Sequence, residues 1–280
     1  MRGYFKNKKT GFLHDFKFNI IMIFLIIFFA LPVFYLASSA FMTRIEIWQG
    51  MFFPAKMQWS NIYTAMVEYN MFHYFKNSLF FTVIIVSSNL FFCSLAGYAL
   101  AKFNFPGKKL IFSLVLVSMM IPPVILIVPL FMEVRAMGLL NTPWAMIIPW
   151  FIDPFGIFLM RQSMVDISEE HLNAARIEGA NEFWIFLRIA IPFSLPALVA
   201  LTLYRFLYVW NDLFWPLLVV GGDKWRTLPV AITKFDAQYF EATELKMATS
   251  FVAALPILII LIVFSKKVFS AMSRTGGLKY

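Results

Sequence analysis

A polar stretch of the chain, from Asn173 to Gly179, lies between two long apolar runs. Its residues are Asn-Ala-Ala-Arg-Ile-Glu-Gly, and the sequence Ile-Ala-Ile-Pro follows from residue 189. Ser168 is a suitable N-cap for a helix through this stretch, and Gly179 can end the helix because a left-handed residue costs glycine little. Small side chains in the middle of the helix would let another protein approach its backbone closely. The chemistry predicted here is therefore protein docking rather than catalysis.

The docking surface is expected on one face of this helix. Leu172, Ala175 and Gly179 share a face, and Ala174 lies beside them. The residues predicted to take part are Glu170, Asn173, Ala174, Ala175, Glu178, Gly179 and Ala180.

A second short helix is predicted to follow, capped by Asn181, with an apolar stripe that faces the membrane bundle. The residues of that stripe are Phe183, Phe186, Leu187 and Ala190. An amphipathic helix lying on the membrane is the alternative. Five acids weigh against it, because the inner leaflet is anionic. They are Asp166, Glu169, Glu170, Glu178 and Glu182.

Asp153 and Arg205 are charges that fall deep inside apolar runs. An ionised side chain in mid-membrane costs about 2.5–3.5 kcal/mol on insertion scales unless it is paired or hydrated. Asp153 lies ten residues after the start of its apolar run and Arg205 ten residues before the end of its own, so each is expected about 15 Å in from the same side of the membrane. They therefore either pair with each other or both face one polar cavity, and we favour pairing. Further along, Trp210, Asn211 and Asp212 combine an aromatic face with hydrogen-bonding groups, which suits a sugar. These five residues are the candidates for contact with a solute.

Residues for catalysis or metal binding are scarce. The chain has one cysteine and three histidines, and the histidines lie far apart in sequence, whereas a membrane-embedded enzyme needs several such side chains to converge. Residues 107–109, Gly-Lys-Lys, lack the spacing of a phosphate-binding loop. We therefore expect no enzyme activity and no cofactor or metal bound by this chain.

The composition indicates which class of protein contains these residues. The chain is 61% hydrophobic and 14% charged, with a mean hydropathy of +0.75, which exceeds what a soluble domain needs. We predict an all-α integral membrane protein. About 20 apolar residues cross the roughly 30 Å hydrocarbon layer as a helix. Six runs qualify, at about 20–41, 78–101, 110–132, 143–162, 191–215 and 248–265.

These six spans form a predicted transmembrane domain over residues 20–265. An N-terminal segment 1–19 and a C-terminal tail 266–280 flank it, and a loop at 163–190 joins the fourth span to the fifth. Prolines are expected to bend three of the spans. They are Pro122, Pro123, Pro129, Pro149, Pro154 and Pro256.

The net charge of +9 reflects topology. Segments 1–19, 102–109, 163–190 and 266–280 hold five, three, two and four Lys or Arg, and by the positive-inside rule these segments and both termini are cytoplasmic. Because the charges lie at the ends of apolar runs, they are not expected to bind nucleic acid.

The loop motif, in the order A-A-x3-G-x9-I-x-I-P, resembles the loop by which permease subunits of bacterial ABC importers contact their ATPases. Over most of its length the chain is similar to the maltose-G-like permeases of carbohydrate-type importers. Segments that fit this family in order are 103–108, 141–143, 210–212, 226–230 and 275–279. One departure is Asn173, where the family usually has glutamate.

This resemblance implies a six-span helical bundle of the type I ABC importer kind in the bacterial inner membrane. It implies a second, homologous permease subunit, an ATPase dimer that uses ATP and Mg²⁺ and receives the loop helix, and an extracytoplasmic binding protein that delivers a sugar or polyol. Membrane lipid would surround the bundle. Two alternatives stay open, namely a secondary transporter and an ABC permease for glycerol phosphate, an amino acid or a peptide.

Overall fold

The computed structural model describes the backbone of residues 8–238 and 242–276 and the side chains of residues 18–235, 238 and 242–264. Residues 1–7 of the predicted N-terminal segment and 277–280 of the predicted tail lie outside the described residues. The described part of the chain is helical and contains no strand, as predicted. Its helices are α1 (Lys8–Ser39), α2 (Arg44–Trp48), α3 (Ser60–Tyr63), α4 (Met71–Lys102), α5 (Lys108–Met119), α6 (Pro123–Ala136), α7 (Pro143–Ile147), α8 (Pro154–Val165), α9 (Glu169–Ile177), α10 (Glu182–Ile185), α11 (Ile191–Phe193), α12 (Leu195–Trp210), α13 (Phe214–Val219), α14 (Leu228–Gln238) and α15 (Thr243–Gly276).

Three segments of the described chain are single helices long and apolar enough to cross a membrane: Phe18–Ser39, Met71–Lys102 and Thr243–Phe264. Three more qualify only as bent pairs, so the described chain has up to six spans. The bends are 105° between α5 and α6, 41° between the α7 segment and α8, and 80° between Glu182–Phe193 and α12. The six predicted runs fall on these segments, and the membrane boundaries stay predictions.

The bends agree only in part with the expected proline positions. Pro122 precedes α6 and Pro154 begins α8, so both lie at breaks. Pro129 and Pro256 lie inside continuous helices, α6 and α15. The 80° bend before α12 was not predicted. It falls at Ser194, which has φ −91° and ψ 12°.

The chain divides into two compact units. One comprises the described parts of residues 1–70 and 235–252. In it, the side chains of α1 are exposed throughout residues 18–34. After α1, the Asn61 amide donates to Ala40 O and Met42 O at 3.2 and 2.8 Å. Thr43 then caps α2 together with Glu46.

The second unit comprises the described parts of residues 71–234 and 253–280. Its centre is α4, which packs along α8 and α12. The approach of α4 to α8 is closest at Gly97, where a Cβ atom would lie 2.7 Å from Arg161 N and 2.8 Å from Met160 Cβ. Since those distances leave no room for a methyl group, glycine is what allows the two helices to pack here.

Candidate functional site

The predicted loop, residues 163–190, contains two short helices, α9 and α10, joined at a glycine as expected. The Ser168 hydroxyl accepts a hydrogen bond from Glu170 N at 3.2 Å and caps α9. Gly179 follows the helix with φ +86°, a left-handed conformation that favours glycine. The Asn181 side chain accepts from Trp184 N at 2.8 Å and caps α10. Both helices therefore begin at a side-chain cap supplied from within the loop.

The exposed face of α9 differs from the predicted one. Leu172 and Ala175 are 0% and 8% exposed and pack in the core of their unit with Met164 and Ile167. Ala175 is therefore largely covered by the bundle itself, and its part in docking stays a prediction. Both residues are apolar, and the bundle uses their shared face for its own core.

The face of α9 that remains open is largely made of other predicted docking residues. Glu170, Asn173, Ala174, Glu178 and Gly179 are exposed, and Ala180 is half-buried. The sequence-based prediction missed Ile177, which is 87% exposed. The sequence did indicate that Ile177 would be exposed, because this apolar residue lies between Arg176 and Glu178 on the helix face opposite Leu172.

The stripe predicted for the second helix is also wrong in part. Phe186 and Ala190 are buried as predicted, but Phe183 and Leu187 are 54% and 43% exposed. Residues Phe186–Ala190 form a π-helical turn. This turn contains one more residue than an α-helical turn, so the i, i+3, i+4, i+7 pattern does not hold through it. Ile185 takes the inward position instead, with 0% exposure.

Arg176 connects the two loop helices. Its Nε donates to Glu182 Oε1 at 2.6 Å, and its Nη1 donates to Asn173 Oδ1 at 2.8 Å. The hydrogen bond from Arg176 lowers the pKa of the Glu182 carboxyl below its usual range, and the same contact raises the pKa of Arg176. The side chain at the family's glutamate position thus bonds within the loop.

Asp153 and Arg205 form the pair that the sequence favoured. Arg205 Nη1 lies 3.5 Å from Asp153 Oδ1, and the two side chains are 2% and 16% exposed. The other Asp153 oxygen accepts from Gly156 N at 2.9 Å and so caps α8. The Arg205 guanidinium also lies 5.2 Å from the Tyr208 ring centre. One carboxylate therefore both begins a helix and balances a buried charge.

Asn89 and Cys93 of α4 have roles at the break before α8 that the sequence-based analysis did not assign. The Asn89 amide, which is fully buried, donates to Trp150 O and to Ile85 O. Cys93 Sγ lies 3.4 Å from Asp153 N. Backbone groups freed by a broken helix must find partners inside a membrane protein. A polar residue inside an apolar run was the available signal for Asn89.

The remaining solute candidates are engaged within the chain. Trp210 is 3% exposed, its indole N–H donates to Ala253 O at 3.0 Å, and its ring stacks on Phe206. Its ring therefore has no open face in this conformation, and its contact with a sugar stays a prediction. Asn211 Nδ2 donates to Leu207 O, and Asp212 Oδ1 accepts from Trp215 N.

Residues 90–269 match the family described as the binding-protein-dependent transport system inner membrane component. The chain is 32% identical over 253 residues to the arabinooligosaccharides transport system permease protein AraQ of Halalkalibacterium halodurans, covering 89% of this chain and 90% of the relative. It is 28% identical to the trehalose transport system permease protein SugB of Mycobacterium tuberculosis, covering 89% and 92%. A chain of a bacterial ABC transporter involved in the import of the acidic polysaccharide alginate has the same fold, with a TM-score of 0.80, 23% identity and coverage of 94% and 99%.

The chain therefore belongs to the inner membrane components of binding-protein-dependent transport systems, as a permease subunit of the carbohydrate-type ABC importers. It has the type I importer permease fold. It is an integral membrane subunit and not the ATPase. Family membership decides against the secondary transporter considered above.

Proposed function

We propose that this permease forms part of the pathway for a di- or oligosaccharide and that its ATPase partner docks on the exposed face of α9. A binding protein outside the cytoplasm delivers the sugar, and a second permease subunit completes the pathway. The ATPase partner, not this chain, uses ATP and Mg²⁺. Because the ATPase is cytoplasmic, docking on α9 requires the loop and both termini to be cytoplasmic as well. The excess of Lys and Arg in segments 1–19 and 266–280 agrees with that orientation.

The observation that supports docking most directly is the combination of rigidity and exposure in α9. Its inward face is anchored by Leu172, its two ends are fixed by Ser168 and Gly179, and its outward face presents Ala174 and Ile177 beside acidic groups. Interfaces concentrate their binding energy in a few apolar anchors surrounded by polar groups. Ile177, exposed at the last residue of a polar helix, fits that arrangement.

The sugar class is supported by the relatives. Those with a solute in their names include permeases for arabinooligosaccharides, diacetylchitobiose and trehalose. Purified importer with its binding protein should show ATPase stimulation by di- or oligosaccharides and not by glycerol phosphate, amino acids or peptides. Stimulation by one of the latter alone would contradict the proposed solute class.

The docking proposal is tested with Ile177→Asp, which places a charge on the exposed face of α9. The matched control is Ile45→Asp, because Ile45 is also on a short helix and is 66% exposed. We expect Ile177→Asp to reduce the amount of ATPase that copurifies with the permease by at least about tenfold, as loss of an interface anchor does. The control should retain the ATPase. Equal retention by both variants would place the interface elsewhere.

A further inference from the structure

Polar side chains join the loop helices to one end of α4. We name this set the loop brace, and its members are Tyr98 and Lys102 of α4 with Glu169, Arg176 and Glu182 of the loop. Tyr98 is 2% exposed, and the Lys102 side chain is 3% exposed. A helix distant in sequence from the loop thus supplies two buried polar groups to it.

Lys102 connects α4 to the start of the loop. Its ammonium donates to Ile167 O at 2.6 Å and Val165 O at 3.3 Å, and it pairs with Glu169 Oε1 at 3.0 Å. The end of a helix leaves its last carbonyls without partners, and a cation placed there stabilises them. Lys102 therefore holds the end of α8 and the first turn of α9 against the end of α4.

Tyr98 connects α4 to the second half of the loop. Its hydroxyl donates to Glu182 Oε2 at 2.9 Å, while Arg176 of α9 donates to the other oxygen of the same carboxylate. The Tyr98 ring packs against Phe103 and Phe186. Hydrogen bonds to an ionised group are stronger than neutral ones. Glu182 is thus the point at which α4, α9 and α10 meet.

The opposite end of α4 holds a different segment of the same unit. The Asn77 amide donates to Lys224 O at 3.0 Å and Arg226 O at 2.9 Å. The Ser78 hydroxyl accepts from Leu228 N at 2.8 Å. Tyr98 follows Ser78 by 20 residues, which is about 30 Å along a helix and equals the hydrocarbon thickness. A single unbroken helix therefore runs between the loop brace and segment 224–228.

We propose that α4 transmits the displacement of the loop to segment 224–228 on the opposite side of the membrane, and that Tyr98 and Lys102 are the positioning residues that fasten the loop to α4. This inference rests on the proposed function, because the ATPase docked on α9 is what displaces the loop. The contact at Gly97 supports it, since α4 and α8 touch one residue before Tyr98 with backbone against backbone. The loop then moves together with α4 and not only with the two helices that it joins in sequence.

The experiment uses the complete importer in proteoliposomes with its binding protein. Tyr98→Phe keeps the packed ring and removes only the hydroxyl, and Lys102→Met keeps an unbranched side chain one atom shorter and removes the charge. We expect both variants to retain the ATPase while the number of ATP molecules hydrolysed per solute imported rises by at least about fivefold, the lower end of typical allosteric coupling. Lys109→Met, at an exposed lysine beyond the turn, is the control and should leave the ratio unchanged.

Three further variants make the positioning role specific. In a Glu182→Ala background, Tyr98→Phe should have no additional effect on the ratio, because the hydroxyl has lost its partner. Lys102→Arg should restore a ratio near the original, since it keeps a cation at the two carbonyls. At the far end, Asn77→Leu should reduce the stimulation of the ATPase by the loaded binding protein while the ATPase stays attached.

The outcomes separate this inference from the proposed function. An unchanged ratio in Tyr98→Phe and Lys102→Met, with the ATPase retained, overturns the role of the loop brace and leaves docking on α9 intact. If these two variants lose the ATPase and the Lys109→Met control keeps it, the role of the loop brace in transmission is also overturned, because the residues would then serve docking. If the importer with Ile177→Asp alone retains its ATPase, that result contradicts the proposed function itself.

Discussion

Arg205 places a guanidinium inside its unit, and Asp153 is the carboxylate that faces it at 3.5 Å. Taking such a pair out of water is costly. Removing one partner destabilises the fold further, because it leaves the other charge buried without compensation. The Trp210 and Asp153 side chains are both satisfied within the chain. At this scale Asp153 and Trp210 act first as structural elements of the bundle in this conformation.

Removing the charge of Asp153 should therefore destabilise the subunit. Asp153→Asn keeps an oxygen that can accept from Gly156 N but leaves the buried Arg205 without the carboxylate that pairs with it, for an expected loss of about 3–5 kcal/mol. Thermal unfolding in detergent measures the effect, with Asp166→Asn at an exposed carboxylate as the control. Asp153→Asn combined with Arg205→Met should recover part of the loss. Equal melting temperatures for Asp153→Asn and the control would contradict this reading.

The Glu182 carboxylate predicts a specific dependence on pH. Its pKa is lowered in the folded loop, mainly by the hydrogen bond from Arg176 and further by that from Tyr98. A group with a lowered folded pKa stabilises the fold above its unfolded pKa of about 4.3, and the stabilisation is lost as the pH falls through the folded value. The difference in melting temperature between the original protein and Glu182→Gln should thus be constant from about pH 8 to 5.5 and shrink below about pH 4.5. A difference that already changes near pH 7 would argue against ionised Glu182 as the cause.

At the scale of helices, the contact between α4 and α8 is fixed by the absence of a side chain. Gly97→Ala would bring a methyl group within 2.7 Å of Arg161 N, and a backbone atom cannot turn away as a flexible side chain can. Overpacking of this kind costs about 1–3 kcal/mol. The control is Gly222→Ala, where a Cβ would meet nothing within 4 Å. Thermal unfolding should show a lower melting temperature only for Gly97→Ala, and similar values for both would contradict tight packing at this position.

The helices also show which local features could be predicted from the sequence. The caps at Ser168 and Asn181 and the stop at Gly179 follow from local hydrogen bonding and backbone preference, so the sequence was sufficient. The burial of Ala175 and the exposure of Phe183 were not predicted, because they depend on which face the rest of the bundle covers. The π-helical turn was missed for a similar reason, because tertiary packing selects it and no sequence pattern predicts it.

At the scale of the whole molecule, hydropathy alone predicted the helical class, because length and composition decide whether a segment can cross a membrane. The bends were harder, since Pro122 and Pro154 break their helices whereas Pro129 and Pro256 do not. Proline removes one backbone donor in every case, and the surroundings decide whether the helix continues. The Asn89 amide is part of those surroundings, because it donates to Trp150 O at the break before α8.

The charge pattern predicts the orientation of the complete subunit. Reporter domains fused to either terminus should be active only when the reporter functions in the cytoplasm, because segments 1–19 and 266–280 are rich in Lys and Arg. A reporter placed within residues 221–224, in the segment predicted to lie outside, should give the opposite result. A cytoplasmic signal from that third site, or an external signal from either terminus, would contradict the proposed topology.

The turn at Phe186–Ala190 has a consequence for the phase of the chain that follows it. Because the turn holds one residue more than an α-helical turn, deleting one of its residues would leave an α-helical turn and keep the helix beyond it in its present phase. Deleting one residue from α12 before Arg205 would instead rotate everything that follows by about 100° about the helix axis. A single-codon deletion should therefore be tolerated far better within Phe186–Ala190 than in α12, and thermal unfolding of the two variants would show the difference.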